Sequence, residues 1–142
     1  MNDNWPKPYI FDVRALLAWT KATGNEFTHV LAGVIDGSVS IYNRVWTDFD
    51  SAYPDEAKVI DVSSFPRARV TIEHRLTAAA LVAKADESFR PMGPYDDNTE
   101  LCVAGIATCE SGTVVTDSRR KLRYQAINGL HVITFDEFVA LQ

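Results

Sequence analysis

Two short apolar runs, each closed by an aspartate, constrain this chain more than any other feature. Pro8-Tyr9-Ile10-Phe11 ends at Asp12, and Thr113-Val114-Val115-Thr116 ends at Asp117. Both read as strands bounded by turn or acidic residues. Between them the pattern is helical. Ala15-Leu16-Leu17-Ala18-Trp19 are good helix formers that stop near Gly24. Phe27, Val30, Leu31, Val34 and Ile35 recur at spacings of three and four up to Asp36-Gly37. Val39–Tyr42 alternates as a strand does, and a helix is expected from Arg44 through Phe49. Around Val59–Val62 a short strand and a loop both stay open. Val70–Ala85 is a helix by propensity, 90–95 has loop composition, and Thr99 is a plausible N-cap for the next helix, which Gly112 ends. After the turn at Asn128-Gly129, a last strand over His131–Phe135 leads into a terminal helix from Asp136 or Glu137. Strands separated by crossover helices favour a parallel sheet with helices on its faces. The expected fold is α/β: a three-layer α/β/α sandwich with a mainly parallel sheet of four to five strands, in one domain over residues 1–142.

Composition narrows the function. Hydrophobic residues make up 46% and charged residues 23% of the 142, which is ordinary for a globular domain. No apolar run approaches the roughly 18 residues of a membrane span, and Met1-Asn2-Asp3-Asn4-Trp5-Pro6 lacks the stretches of a signal peptide, so the expected location is the cytoplasm. Cys102 and Cys109 lie about two helical turns apart, too far for a disulfide, and read as small apolar residues of a buried helix. With His29, His74 and His131 scattered, no zinc spacing is present. The net charge of −5 argues against a generally basic nucleic-acid surface, so any RNA contact must be local. Basic residues cluster at Arg119-Arg120-Lys121 with Arg123, and at Arg67, Arg69, His74 and Arg75. Each cluster reads equally as a solvated face.

In open parallel sheets, ligands bind beyond the carboxyl ends of the strands, where Asp12 and Asp117 stand. Either one alone also reads as a helix N-cap. Asp48, early in its helix, and Glu100, in the first turn of the helix before Gly112, are two further candidates, or acids that complement helix dipoles. Four converging carboxylates repel one another unless a hard divalent cation neutralises them, and magnesium takes one or two such groups with waters. No phosphate-binding loop, dinucleotide fingerprint, serine elbow or H-E-x-x-H motif is present.

The ordered set resembles the PIN-domain nucleases, many of which are the toxin of a bacterial toxin–antitoxin pair (the VapC type). Tyr9-Ile10-Phe11-Asp12 is similar to the family's first strand and first catalytic aspartate. Glu100, Ala104, Ala107, Gly112 and Val114-Val115-Thr116-Asp117 resemble its third acid, alanine-rich helix, glycine turn and strand end. Gly129 through Phe138 resembles its last strand and helix. The second acid, usually glutamate, corresponds to Asp48, with Asp50 a competitor. Glu100 stands where aspartate is commoner, with Asp97 an alternative on nearly the same helix face. Arg14 replaces the small polar residue usual two positions after the first aspartate.

The resemblance implies an endoribonuclease in which Asp12, Asp48, Glu100 and Asp117 are catalytic, and Asp12, Glu100, Asp117 and Asp97 hold Mg²⁺ or Mn²⁺. Arg14, Arg119, Arg120 and Lys121 would contact RNA. It also implies a cognate antitoxin and a homodimer. Arg14 and the acidic net charge favour the alternative, a PIN-like module without catalysis that binds RNA or protein.

Overall fold

Residues buried on both sides of a strand need cover on both faces of the sheet, and that requirement organises the fold. The computed structural model describes residues 5–60, 67–84, 96–127 and 129–141, without the side chains of 82–84 and 96–98. The 90–95 loop, residues 61–62 and Asn128 therefore lie outside the described residues. Strands β1 (Tyr9–Phe11), β2 (Val39–Ser40), β3 (Thr113–Thr116) and β4 (His131–Thr134) form one four-stranded, fully parallel sheet in the order β2-β1-β3-β4. Every residue of β1 and β3 is buried. Tyr9 and Phe11 meet the ring of Phe138 at 5.1 and 5.4 Å on one face. Ile10, between them, points to the other face, toward Gly112.

Eight helices accompany the sheet among the described residues: α1 (Val13–Lys21), α2 (Gly24–Asp36), α3 (Asn43–Ala52), α4 (Pro54–Ala57), α5 (Ile72–Lys84), α6 (Asp96–Glu110), α7 (Ser118–Tyr124) and α8 (Phe135–Val139). Helices α1, α2 and α8 pack together, and α5 packs along α6. The core joins Phe11, Leu16, Trp19, Val30, Phe49, Val103, Ile106, Val115 and Ile133, all fully buried.

Local chemistry shifts several expected boundaries. Helix α6 starts at Asp96, so Thr99 lies inside it and is not the N-cap. Thr134 ends β4 early, because it opens a capping box with Glu137 and makes Phe135 helical. Strand β2 stops at Ser40, and Tyr42 instead bridges Ala68. Val59 and Ile60 lie in a turn with no strand pairing. Of the cysteines, Cys109 is exposed and Cys102 half-buried, so the α6 face that carries them is not buried throughout. His131 is likewise exposed, since only Val132 and Ile133 of β4 face inward.

Gly112 joins α6 to β3 where the backbone passes against β1. A Cβ there would lie 2.4 Å from the carbonyl oxygen of Pro8, which already accepts from Thr113 N–H at 3.0 Å. Gly112→Ala is expected to lower stability by about 1–3 kcal/mol, as overpacking against backbone does. An unchanged urea midpoint would show that β1 and β3 are not held this tightly.

Candidate active site

Asp12 and Asp117 are structural equivalents. Each follows a strand in extended backbone, with φ of −94° and −100°, and each caps the next helix. Asp12 Oδ1 accepts from Ala15 N–H at 2.9 Å, and Asp117 Oδ1 from Arg120 N–H at 2.7 Å. Because β1 and β3 run parallel with Phe11 opposite Val115, both acids leave the same edge of the sheet. Each aspartate thus caps a helix at the same edge of the sheet.

The second oxygen of each acid distinguishes them. Asp12 Oδ2 accepts from the hydroxyls of Thr116 at 2.6 Å and Tyr124 at 3.0 Å. At 3% exposure, burial pushes its pKa up to about 6, against the opposing hydrogen bonds of Thr116, Ala15 and Tyr124, and the charge of Asp117 adds to the rise. Burial, then the charges of Asp12 and Glu100, hold the Tyr124 hydroxyl well above its usual range, so it remains a donor. Asp117 Oδ2 instead takes Arg14 Nε at 2.8 Å, and Arg14 Nη1 donates to the Tyr53 hydroxyl at 2.8 Å.

The other candidates are answered by arginines too. Glu100 is buried, with Arg123 Nε 3.2 Å from Oε1 and 3.1 Å from Oε2, and Arg120 Nε 3.8 Å from Oε2. Asp48 sits in mid-α3 rather than near its start, accepting from Arg44 Nε at 3.1 Å and from the Thr99 hydroxyl. Asp50 is exposed on the same helix, and the side chain of Asp97 lies outside the described residues. The basic run divides: Arg119 is exposed, Arg120 turns inward, and Lys121 Nζ meets Glu137 Oε1 at 2.8 Å. Sequence reasoning missed Thr116, Tyr124 and Tyr53. Tyr124 carried one signal, its place two turns beyond Asp117 on a short helix.

No three of these four carboxylates have oxygens all within 4.8 Å of one another. Among the described residues, the one trio of His, Cys, Asp or Glu with ligand atoms all within 4.8 Å is His74, Cys109 and Glu110. That trio makes a poor metal site. His74 Nδ1 accepts from Thr71 N–H at 3.0 Å, so the proton sits on Nε2, which faces Glu110 Oε2 at 2.8 Å and has no lone pair to give. At the sheet edge, Asp12 and Asp117 fit a hard cation: both offer carboxylate oxygens, and the buried Asp12 is short of positive charge. Asp48 and Glu100 are each met by a guanidinium, as Asp117 is by Arg14.

The raised pKa of Asp12 carries a linkage. The folded state holds this proton more tightly than the unfolded chain, so the stabilisation is complete below 3.8 and is lost as pH rises through about 6. The shift of roughly 2 units corresponds to about 3 kcal/mol. Asp12→Asn keeps a good cap and removes the charge, so at pH 7 it should melt above the wild type, with the gap closing by about pH 4. A pH-independent gap would contradict this origin.

No family model and no curated protein sequence matches the chain. Among solved structures it is similar to a chain of VapBC2 from Rickettsia felis bound to a DNA fragment from their promoter, with TM-score 0.65, 14% identity, and coverage of 89% of this chain and 97% of that one. It is similar to a chain of DNA-bound VapBC from Salmonella typhimurium, with TM-score 0.66, 13% identity, and coverage of 91% and 98%. VapBC-1 from nontypeable Haemophilus influenzae gives TM-score 0.61, 12% identity, and coverage of 90% and 98%. Over nearly its whole length, the chain has the PIN-domain fold of VapC-type proteins.

Proposed function

We propose that the chain is a toxin-type PIN ribonuclease whose centre is the Asp12–Asp117 pair, with a cognate antitoxin as protein partner and a homodimer as its assembly. The observation that carries this reading is the buried Asp12, raised to about 6 beside a second carboxylate at the carboxyl edge of a parallel sheet. A buried acid with a raised pKa, beside a second acid at the ligand-binding edge, is what a functional site looks like physically.

Asp12 and Asp117 would hold Mg²⁺ or Mn²⁺. When bound, such an ion supplies an activated water and charge stabilisation at phosphorus. Thr116 and Tyr124 fix Asp12 Oδ2 in one orientation, and Tyr53 orients Arg14. Arg14 competes with a cation for Asp117 Oδ2, and its guanidinium suits a phosphate when it leaves that carboxylate. Arg119 is exposed one residue beyond the start of α7, where it can meet the RNA backbone. Lys121 can do so by releasing Glu137, whereas Arg120 acts from inside, on Glu100.

A second reading, a PIN-like module that binds RNA or protein without cleaving, is favoured by one specific observation. Arg123 and Arg120 already satisfy Glu100, and Arg44 satisfies Asp48, so two of the family's acids have no charge left for a metal.

Titrating Mn²⁺ or Mg²⁺ against melting temperature and against cleavage of a mixed RNA pool separates the two. The wild type should be stabilised by metal and cut RNA, Asp117→Asn should lose both, and Arg14→Ser should reach half-maximal stabilisation at about tenfold less metal. If neither metal stabilises wild type or Arg14→Ser and neither protein cuts RNA, the nuclease reading is wrong and the module stands.

A further inference from the structure

A cavity of about 870 Å³ lies between α3, α5, α6 and the 67–70 segment, and none of Asp12, Arg14, Glu100 or Asp117 lines it. Among the described residues, its charged groups are Arg44, Arg69 and Arg75. Arg14, Arg120 and Arg123 are each paired with a carboxylate, whereas among the described residues the exposed Arg67 and Arg119, which lie outside the cavity wall, have no ion pair. Arg44 keeps Asp48, but among the described residues Arg69 and Arg75 have no acidic partner, although acids exceed bases by five. Unpaired guanidiniums around one cavity repel each other, and an anion relieves that repulsion.

Arg69 and Arg75 are exposed side chains on backbone that is held in place. Ala68, next to Arg69, is stitched to the end of β2 by Ala68 N–H to Ile41 O at 2.9 Å and Asn43 N–H to Ala68 O at 2.8 Å. His74, next to Arg75, is buried and closes a reciprocal cap at the start of α5: its backbone N–H donates to Thr71 Oγ1 at 3.2 Å, and its ring Nδ1 accepts from Thr71 N–H at 3.0 Å. Helix α3 begins at Asn43 in the cavity wall and has no side-chain cap, so its positive dipole end adds to the field. Besides Thr47, the remaining described wall is apolar, including Val70, Leu101 and the half-buried Cys102, whose thiol feels Arg44 and Arg75.

We propose that this cavity is a binding site for a nucleoside phosphate, in which Arg69 and Arg75 grip phosphate oxygens and the apolar wall takes the base. Guanidinium forks match phosphate oxygens in pairs, and a flat ring on an apolar wall completes the recognition. The volume is in the range of small-molecule pockets. A free nucleotide and one unit of an RNA strand carry this same chemistry. Neither Asp12 nor Asp117 lines the site, and the proposal does not rest on cleavage at that pair.

The test uses EDTA throughout, so failure of the nuclease reading leaves it untouched. Binding of AMP and of a short fluorescein-labelled RNA is measured for wild type, Arg69→Gln, Arg75→Gln and, as a charge-matched control, Lys58→Gln, with unchanged melting temperature as the check on folding. Iodoacetamide alkylation of Cys102, read by peptide mass against Cys109, reports occupancy directly. Each arginine variant should weaken binding about tenfold, the control less than about twofold, and bound ligand should slow Cys102 but not Cys109. Protection by AMP identifies a free nucleotide as sufficient; protection by RNA alone identifies a strand. The proposal is overturned if neither ligand binds, if binding ignores both arginine variants, or if an acidic peptide protects Cys102 where nucleotides do not.

Discussion

Four elements meet at one carboxylate. Asp12 ends β1, caps α1 through Ala15, receives Thr116 from the end of β3 and receives Tyr124 from the end of α7. Its backbone N–H donates to Val115 O at 3.2 Å, continuing the β1–β3 ladder one residue past the strand. The sheet edge and the two helices that flank it are therefore defined relative to a single side chain. That side chain is an acid in a dry place, held by three hydrogen bonds that oppose its desolvation only in part. The rest of the candidate site is arranged around this imbalance.

The neighbouring acids are handled differently, and the difference is chemical. Asp117 and Asp48 are partly exposed and each takes one guanidinium, Arg14 and Arg44. Glu100, as buried as Asp12, has a guanidinium at hydrogen-bonding distance and a second slightly farther away. A buried charge without such a partner is strongly unfavourable, so removing Arg123 should be felt far more than removing Arg44. Asp12 is buried and hydrogen-bonded by the neutral donors Ala15, Thr116 and Tyr124, and this asymmetry singles it out from a group that looked uniform along the chain.

The strands, their parallel direction and the two aspartates at their ends were legible because they rest on local apolar runs and turn residues. The match of Asp12 with Asp117 needed only two strands and the rule for parallel crossovers. What the chain order could not reveal was pairing over long separations. Arg14 with Asp117, Glu100 with Arg123, and Asp48 with Thr99 all depend on which helix faces lie against each other. Charge runs misled for the same reason. Arg119, Arg120 and Lys121 are adjacent in sequence, yet successive residues on a helix point about 100° apart, so one is exposed, one buried and one tied to α8. Thr99 failed as a cap because a helix start is set by its whole first turn, and here that turn begins at Asp96.

The two sides of the sheet are unequal in a way that matters outside the site. β2 has two residues, and just past its end Tyr42 already pairs with Ala68, so that border offers little unpaired backbone. β4 has four residues, and among the described residues no strand lies beyond it. Unpaired strand borders are where chains add to one another as extended sheet. The flanks of β4 are the gatekeepers against that outcome: exposed His131 with Trp5 at its edge at one end, and the Thr134–Glu137 box that turns the chain into helix at the other. Self-association by strand addition, where it occurs, therefore starts at β4 and is restrained by residues that play no part in chemistry.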